Sequence, residues 1–263
     1  MDFDINKPSH IVSLLLVIAS FFMIIGLSIV SLFLGINSEQ VESIQEFPAV
    51  LQMFVEIFTV ILQIIIFITF MIIVPLIWYR YVNKLNLKRI KERLQLDFKT
   101  IDRAFLWGIL AFLMIIGLNI VVNLFFQSFG FAESDLNNAQ DIANILSPIP
   151  MFIIIAFQPI GEEIFFRGFL LDKIDYLFNK KQEKTGFFYD YKIPAVLTTS
   201  ILFGVAHLSY AKIPVFISIS VVGFVLGIIV VKTKNLYSSI FTHMILNISA
   251  FAIYFMFKDL PGF

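Results

Sequence analysis

Runs of about 20 apolar residues, each long enough to cross roughly 30 Å of hydrocarbon at 1.5 Å per residue, constrain this chain more than any other feature. Seven occur, at roughly 11–35, 52–79, 104–129, 148–171, 193–209, 213–231 and 235–257. Only 14% of the residues are charged, against about a quarter in soluble domains. The pattern predicts an all-α polytopic transmembrane bundle of about seven spanning helices. The first run reads as a retained anchor helix and not as a cleaved leader, because Asp2 and Asp4 precede a long apolar core and no small-x-small site closes it. No repeat, low-complexity tract or Gly/Ser linker divides the sequence, so residues 1–263 read as a single transmembrane domain.

Loop charges give the expected orientation, since short cytoplasmic loops collect Lys and Arg. Segment 80–103 holds eight basic residues and 172–192 holds five; with Lys7, Lys232 and Lys234 one side carries 16, whereas the other has only Lys212 and Lys258. The opposite loops, 37–50 and 130–147, carry Glu39, Glu42, Glu46, Glu133, Asp135 and Asp141 and no base. Seven crossings with the N-terminus inside and the C-terminus outside account for this separation. Within 80–103, Leu87, Ile90, Leu94 and Phe98 recur at helical spacing among the bases, which fits either a helix lying in the cytoplasmic interface or an ordinary basic loop. The zero formal net charge leaves no basic surplus for a nucleic-acid partner, and the zero cysteine count excludes disulfides, thiol catalysis and thiolate metal sites.

Three of the runs carry the candidate polar residues. The fourth contains Gln158, Glu162, Glu163 and Arg167, the fifth His207, and the seventh His243 and Asn247. A charge at mid-bilayer costs several kcal/mol, so these groups are expected to face one another or a water-filled cavity. Each has a purely structural alternative, an i,i+4 ion pair or a histidine bonded to a neighbouring carbonyl, but the whole set is costly as mere glue. At about 100° per residue, Glu163 and Arg167 lie about 40° apart on one face, while Glu162 is about 140° from the arginine. Glu163 is therefore the expected partner of Arg167. Glu162 shares its face with Gln158 and is available to act on water, and partial desolvation makes a carboxylate a better proton acceptor. Pro159 and Gly161 are positioned to loosen the backbone ladder and admit that water. His243 and Asn247, an i,i+4 pair, present two donors suited to an oxyanion. Phe203 stands one turn before His207, though among 32 phenylalanines such a spacing is common.

Depth along the runs puts Glu162 and His243 roughly 12–14 Å from the cytoplasmic boundary and His207 roughly 20 Å from it. A tilted or re-entrant fifth helix, eased by Gly204, would bring His207 level with the others.

The three motifs E-E-x-x-x-R (Glu162, Glu163, Arg167), F-x-x-x-H (Phe203, His207) and H-x-x-x-N (His243, Asn247), in this order on separate runs, resemble the CPBP or Abi family, the type II CAAX prenyl endopeptidases. The resemblance covers residues 148–257, the expected catalytic core, and finds no signature in the first three runs. It implies an intramembrane glutamic endopeptidase that needs no metal or other cofactor. In that reading Glu162 and His207 activate water, His243 and Asn247 bind the oxyanion, and Glu163, Arg167 and Phe203 support them.

Two other classes share these residues. One is a non-catalytic membrane scaffold or bacteriocin-immunity protein of the same family. The other is an intramembrane metalloprotease or transporter using Glu162, His207 and His243 as ligands or proton relays, although neither H-E-x-x-H nor an inverted repeat is present. The expected partners are the lipid bilayer, here a bacterial plasma membrane, and a membrane-associated peptide or protein substrate; oligomeric state is not legible.

Overall fold

Every regular element among the described residues is helical. The structure, a computed structural model, describes residues 4–26, 48–130, 147–179, 186–208 and 213–257. In chain order the helices are α1 (Pro8–Gly26), α2 (Ala49–Val82), the short α3 (Leu87–Arg93), α4 (Phe98–Ser128), α5 (Pro148–Phe178), α6 (Ile193–Val205), α7 (Ile213–Thr233) and α8 (Tyr237–Phe257). A single turn, Phe187–Asp190, precedes α6. Six of these helices, α1, α2, α4, α5, α7 and α8, are long and apolar enough to cross a membrane, which makes the chain a polytopic, membrane-embedded helical bundle. The end of the first predicted run (27–35), nearly all of the acidic loops 37–50 and 130–147, part of the basic loop 172–192, and Lys212 and Lys258 lie outside the described residues.

The fifth run departs from expectation. Residues 193–209 were to form a crossing, but α6 has 13 residues, about 20 Å at 1.5 Å per residue, short of the roughly 30 Å of hydrocarbon. The helix ends because the chain tightens: the Ala206 N–H still donates to the Leu202 carbonyl at 3.0 Å, but the His207 N–H reaches only three residues back, to Gly204, at 3.0 Å. His207 thus sits in a turn just past a short helix, and no full-length tilted helix is needed to place it inside the bundle.

In the basic segment the helical spacing from Leu87 to Phe98 is realised over seven residues only. Asn86 caps α3 by accepting from the Arg89 N–H at 2.9 Å, and Gln95, at φ 56°, turns the chain out of it. Ile90 and Leu94 are buried in the core, whereas Leu87 and Phe98 are exposed. The Leu236 N–H donates to the Gln95 carbonyl at 2.8 Å and the Asn235 amide to the Asp97 carbonyl at 2.8 Å. This loop therefore fixes the start of α8, the helix that carries His243.

Polarity runs inside out relative to a soluble protein. Lipid-facing positions of α2 and α4, such as Phe54, Ile61, Ile65, Leu110 and Val121, are exposed and apolar, while Glu162, Glu163, Arg167 and His243 are buried. Lipid supplies no hydrophobic force between helices, so close packing and interhelical hydrogen bonds must hold them. Gly223 and Gly227 on α7 provide such packing: a β-carbon at Gly223 would lie 3.1 Å from the Ser200 Cα, and one at Gly227 would lie 2.8 Å from a Val196 methyl. Those two small residues seat α6 against α7. The Thr242 hydroxyl donates to the Gly108 carbonyl at 3.1 Å and ties α8 to α4.

Candidate active site

The helix bearing the two glutamates changes winding where they stand. Pro148–Glu163 is α-helical with Pro159 inside it, and the next seven residues, Ile164–Leu170, form a π-helical stretch that carries Arg167. Three further π-helical stretches lie in α1 and α2, at Phe22–Gly26, Ile68–Ile73 and Trp78–Val82, so it is the residues this one carries that matter. The Tyr79 hydroxyl donates to the Gly168 carbonyl at 3.0 Å, bonding the stretch to α2. On the other side of the glutamates the Phe67 ring packs on bare backbone: a β-carbon at Gly161 would stand 2.5 Å from its Cζ.

The i,i+4 spacings become contacts. Arg167 Nη1 donates to Glu163 Oε1 at 2.7 Å, with both side chains at 0% exposure, and its Nη2 donates to the Gly223 carbonyl at 3.2 Å. Gln158 Nε2 donates to Glu162 Oε1 at 2.5 Å. His243 comes in from α8 between the two carboxylates. Its Nδ1 lies 2.9 Å from Glu163 Oε1 and its Nε2 3.7 Å from Glu162 Oε2. A carboxylate paired with an arginine only accepts, so Nδ1 carries the proton and donates it to Glu163, which fixes the ring. The gap to Glu162 is too long for a hydrogen bond.

Phe203 is the hub of the remaining contacts. Its ring lies 4.7 Å from the His207 ring, 5.7 Å from the His243 ring and 4.3 Å from the Arg167 guanidinium, which stacks over it. His207 Nδ1 donates to the Phe203 carbonyl at 2.8 Å, so in the neutral ring Nε2 is an acceptor.

His207, His243, Asn247 and Phe203 line one cavity of about 240 Å³ between α4, α6, α7 and α8. Glu162 is buried behind it, reached through His243. The structure thus brings both histidines, Asn247 and Phe203 to one space and places the Glu163–Arg167 pair against its wall. Among the described residues no three of His, Asp and Glu are grouped to hold a metal ion. Two lining residues were not singled out from the sequence, Asn119 on α4 and Ser218 on α7. Asn119 had a signal, an amide deep in the run 104–129. Ser218 had none, because a helical serine ordinarily bonds its own backbone.

Comparison with known proteins bears on the same region. Residues 144–249 match the family model "Type II CAAX prenyl endopeptidase Rce1-like". A curated Bacillus subtilis (strain 168) protein named "Putative membrane peptidase YdiL" is 28% identical over 151 residues, covering 56% of this chain. The match spans about half of that relative's own length, 55%. No solved structure matches the chain. The matched segment holds all three motifs and both of the histidines that line the cavity. Over residues 144–249 the chain is thus similar to the type II CAAX prenyl endopeptidases, and these findings support the CPBP family for that segment.

Proposed function

We propose that this protein is an intramembrane glutamic endopeptidase that hydrolyses peptide bonds of membrane-associated peptides or proteins. The observation that carries the reading is the His243 ring, held by Glu163 on one edge and facing Glu162 across 3.7 Å on the other, at the wall of a cavity that also holds His207 and Asn247.

In the proposed reaction Glu162 takes a proton from water as the water oxygen bonds to the scissile carbonyl carbon. His207 assists as an acceptor through Nε2, the nitrogen its bond to the Phe203 carbonyl leaves basic. The tetrahedral oxyanion accepts from the Asn247 amide and from His243. Donation from His243 Nε2 requires the doubly protonated ring, because its Nδ1 proton is committed to Glu163. When the C–N bond breaks, Glu162 returns the proton to the leaving amine. Glu163 and Arg167 act as positioning residues through His243 and Phe203. The basic residues of segment 80–103 and loop 172–192 favour the cytoplasmic half of the membrane for this chemistry.

The test is cleavage by the purified protein in proteoliposomes against an internally quenched peptide library, with Glu162→Gln as the control. Glutamine preserves shape and the bond to Gln158 but cannot accept the proton. Loss of cleavage with an unchanged melting temperature is expected. Full activity in a folded Glu162→Gln variant would end this mechanism.

A further inference from the structure

Two residues that line the cavity of His207, His243 and Asn247 each carry a buried side-chain oxygen with no hydrogen-bond partner among the described residues: the Asn119 carbonyl oxygen and the Ser218 hydroxyl. Both are shielded from bulk solvent, and Ser218 as a whole is 4% exposed. Ser218 is an exception in this chain. Of the other buried serines and threonines among the described residues, Ser13, Ser20, Thr199 and Ser200 donate to a carbonyl of their own helix, Ser238 and Ser239 to Asn235 and Leu236 just before theirs, and Thr242 shares its proton between Ser238 and Gly108. The neighbouring Ser220 donates within its own helix, to Phe216 at 2.8 Å. Ser218 has the same option at Pro214 and does not use it.

Asn119 is an exception in another way. The buried stripe of α4 runs Ala104, Gly108, Ala111, Ile115, and the next position at helical spacing is Asn119. The one polar residue of that stripe therefore falls where α4 reaches the cavity. A buried polar group without a partner is destabilising, and native chains keep few of them. Two in one cavity, from two helices, call for a ligand that offers both an N–H and a C=O.

We propose that Asn119 and Ser218 bind the main chain of the peptide substrate, as positioning residues that hold the scissile bond against His243 and Asn247. The ligand class is a secondary amide in an extended peptide. Its N–H donates to Asn119 Oδ1, and a carbonyl of the same strand accepts from Ser218. A volume of about 240 Å³, the share of about eight waters, admits such a segment. This inference rests on the protease reading above.

The experiment uses the full chain in proteoliposomes and, as probe, the library peptide that the parent cleaves fastest, prepared also as a set with one backbone nitrogen methylated at a time. Asn119→Leu and Ser218→Ala are each expected to raise KM about tenfold with kcat within about twofold and the melting temperature unchanged or higher. In the parent, methylation at one nitrogen should weaken binding, and in Asn119→Leu that sensitivity should vanish, as coupling between two contacting groups requires. Parental KM in both variants, or a lower melting temperature with the methylation profile retained, overturns the assignment and leaves the protease reading standing. Absence of any Glu162-dependent cleavage by the parent overturns the protease reading itself, and this inference with it.

Discussion

Replacing Glu163 with glutamine keeps the side chain's shape but removes the charge facing Arg167 at 2.7 Å. Both side chains are at 0% exposure, so the guanidinium has no water to turn to. Its remaining contacts, the Gly223 carbonyl at 3.2 Å and the Phe203 ring at 4.3 Å, exist already in the parent and add nothing new. Stranding one member of a buried pair costs about 3–5 kcal/mol. At roughly 2–4 °C per kcal/mol for chains of this size, the melting temperature should fall by about 6–20 °C. Removing the arginine as well, in Glu163→Gln/Arg167→Met, leaves no stranded charge and should recover much of that loss. Thermal scans in detergent can follow tryptophan fluorescence, because the buried Trp78 ring lies 6.1 Å from Phe169 in the π-helical stretch and reports its packing. A Glu163→Gln variant as stable as the parent, or a double variant no better than the worse single one, would refute the argument that this pair is needed to hold the site.

Four further outcomes are expected. Phe203→Ala removes the ring shared by both histidines and Arg167, and should cost about 3–5 kcal/mol of stability together with most of the peptide cleavage; parental stability by the same thermal scan would show that the ring is not the hub. Gly161→Val drives a side chain into the Phe67 ring and should destabilise by about 1–3 kcal/mol, and Phe67→Ala should restore the loss in the same background. Cleavage should survive exhaustive chelation, checked by elemental analysis of the treated protein; loss of activity that is restored by zinc at unit stoichiometry would favour the metalloprotease reading. Cysteines placed singly at Lys88 and Asn138 in this cysteine-free chain should react with a membrane-impermeant thiol reagent on intact cells at 138 only; labelling at 88 would invert the topology.

The long apolar runs were legible because length and hydropathy are local properties, and so were the i,i+4 pairs, because helical geometry is fixed by residue count. The short α6 was harder. Residues 193–209 are apolar enough for a crossing, and what ends the helix at Val205 is a tightening at Ala206 and His207 that composition does not signal. The segment 87–98, legible either as an interfacial helix or as a basic loop, is helical for seven residues and then turns: its periodicity continues, but Gln95 adopts a left-handed conformation without being Gly or Asn, and Leu236 bonds its carbonyl. At the site the sequence paired Glu163 with Arg167, yet could not show that His243 reaches both glutamates. That contact joins residues 80 positions apart and depends on how α8 is seated by Asn235 and Leu236. Ser218 was invisible, since only the structure distinguishes a serine bonded to its own helix from one left without a partner beside a cavity.

The adjacency of the two glutamates has a consequence for which of them serves as base. Their clamps pull in opposite directions along α5: Gln158, one turn before, holds Glu162, and Arg167, one turn after, holds Glu163. The carboxylates therefore diverge, and the imidazole of His243 spans the angle between them. Only one of the two is compensated. Arg167 neutralises Glu163, whereas the amide of Gln158 gives Glu162 a hydrogen bond and no charge. Glu162, Glu163 and Arg167 together carry one net negative charge in a low-dielectric surrounding, which the doubly protonated His243 of the oxyanion step balances. A proton delivered to Glu162 removes that charge and leaves the ion pair intact. A proton delivered to Glu163 would strand Arg167 beside a neutral acid and loosen the hydrogen bond that fixes His243. Within the proposed mechanism the two positions therefore cannot exchange roles even though their side chains are identical.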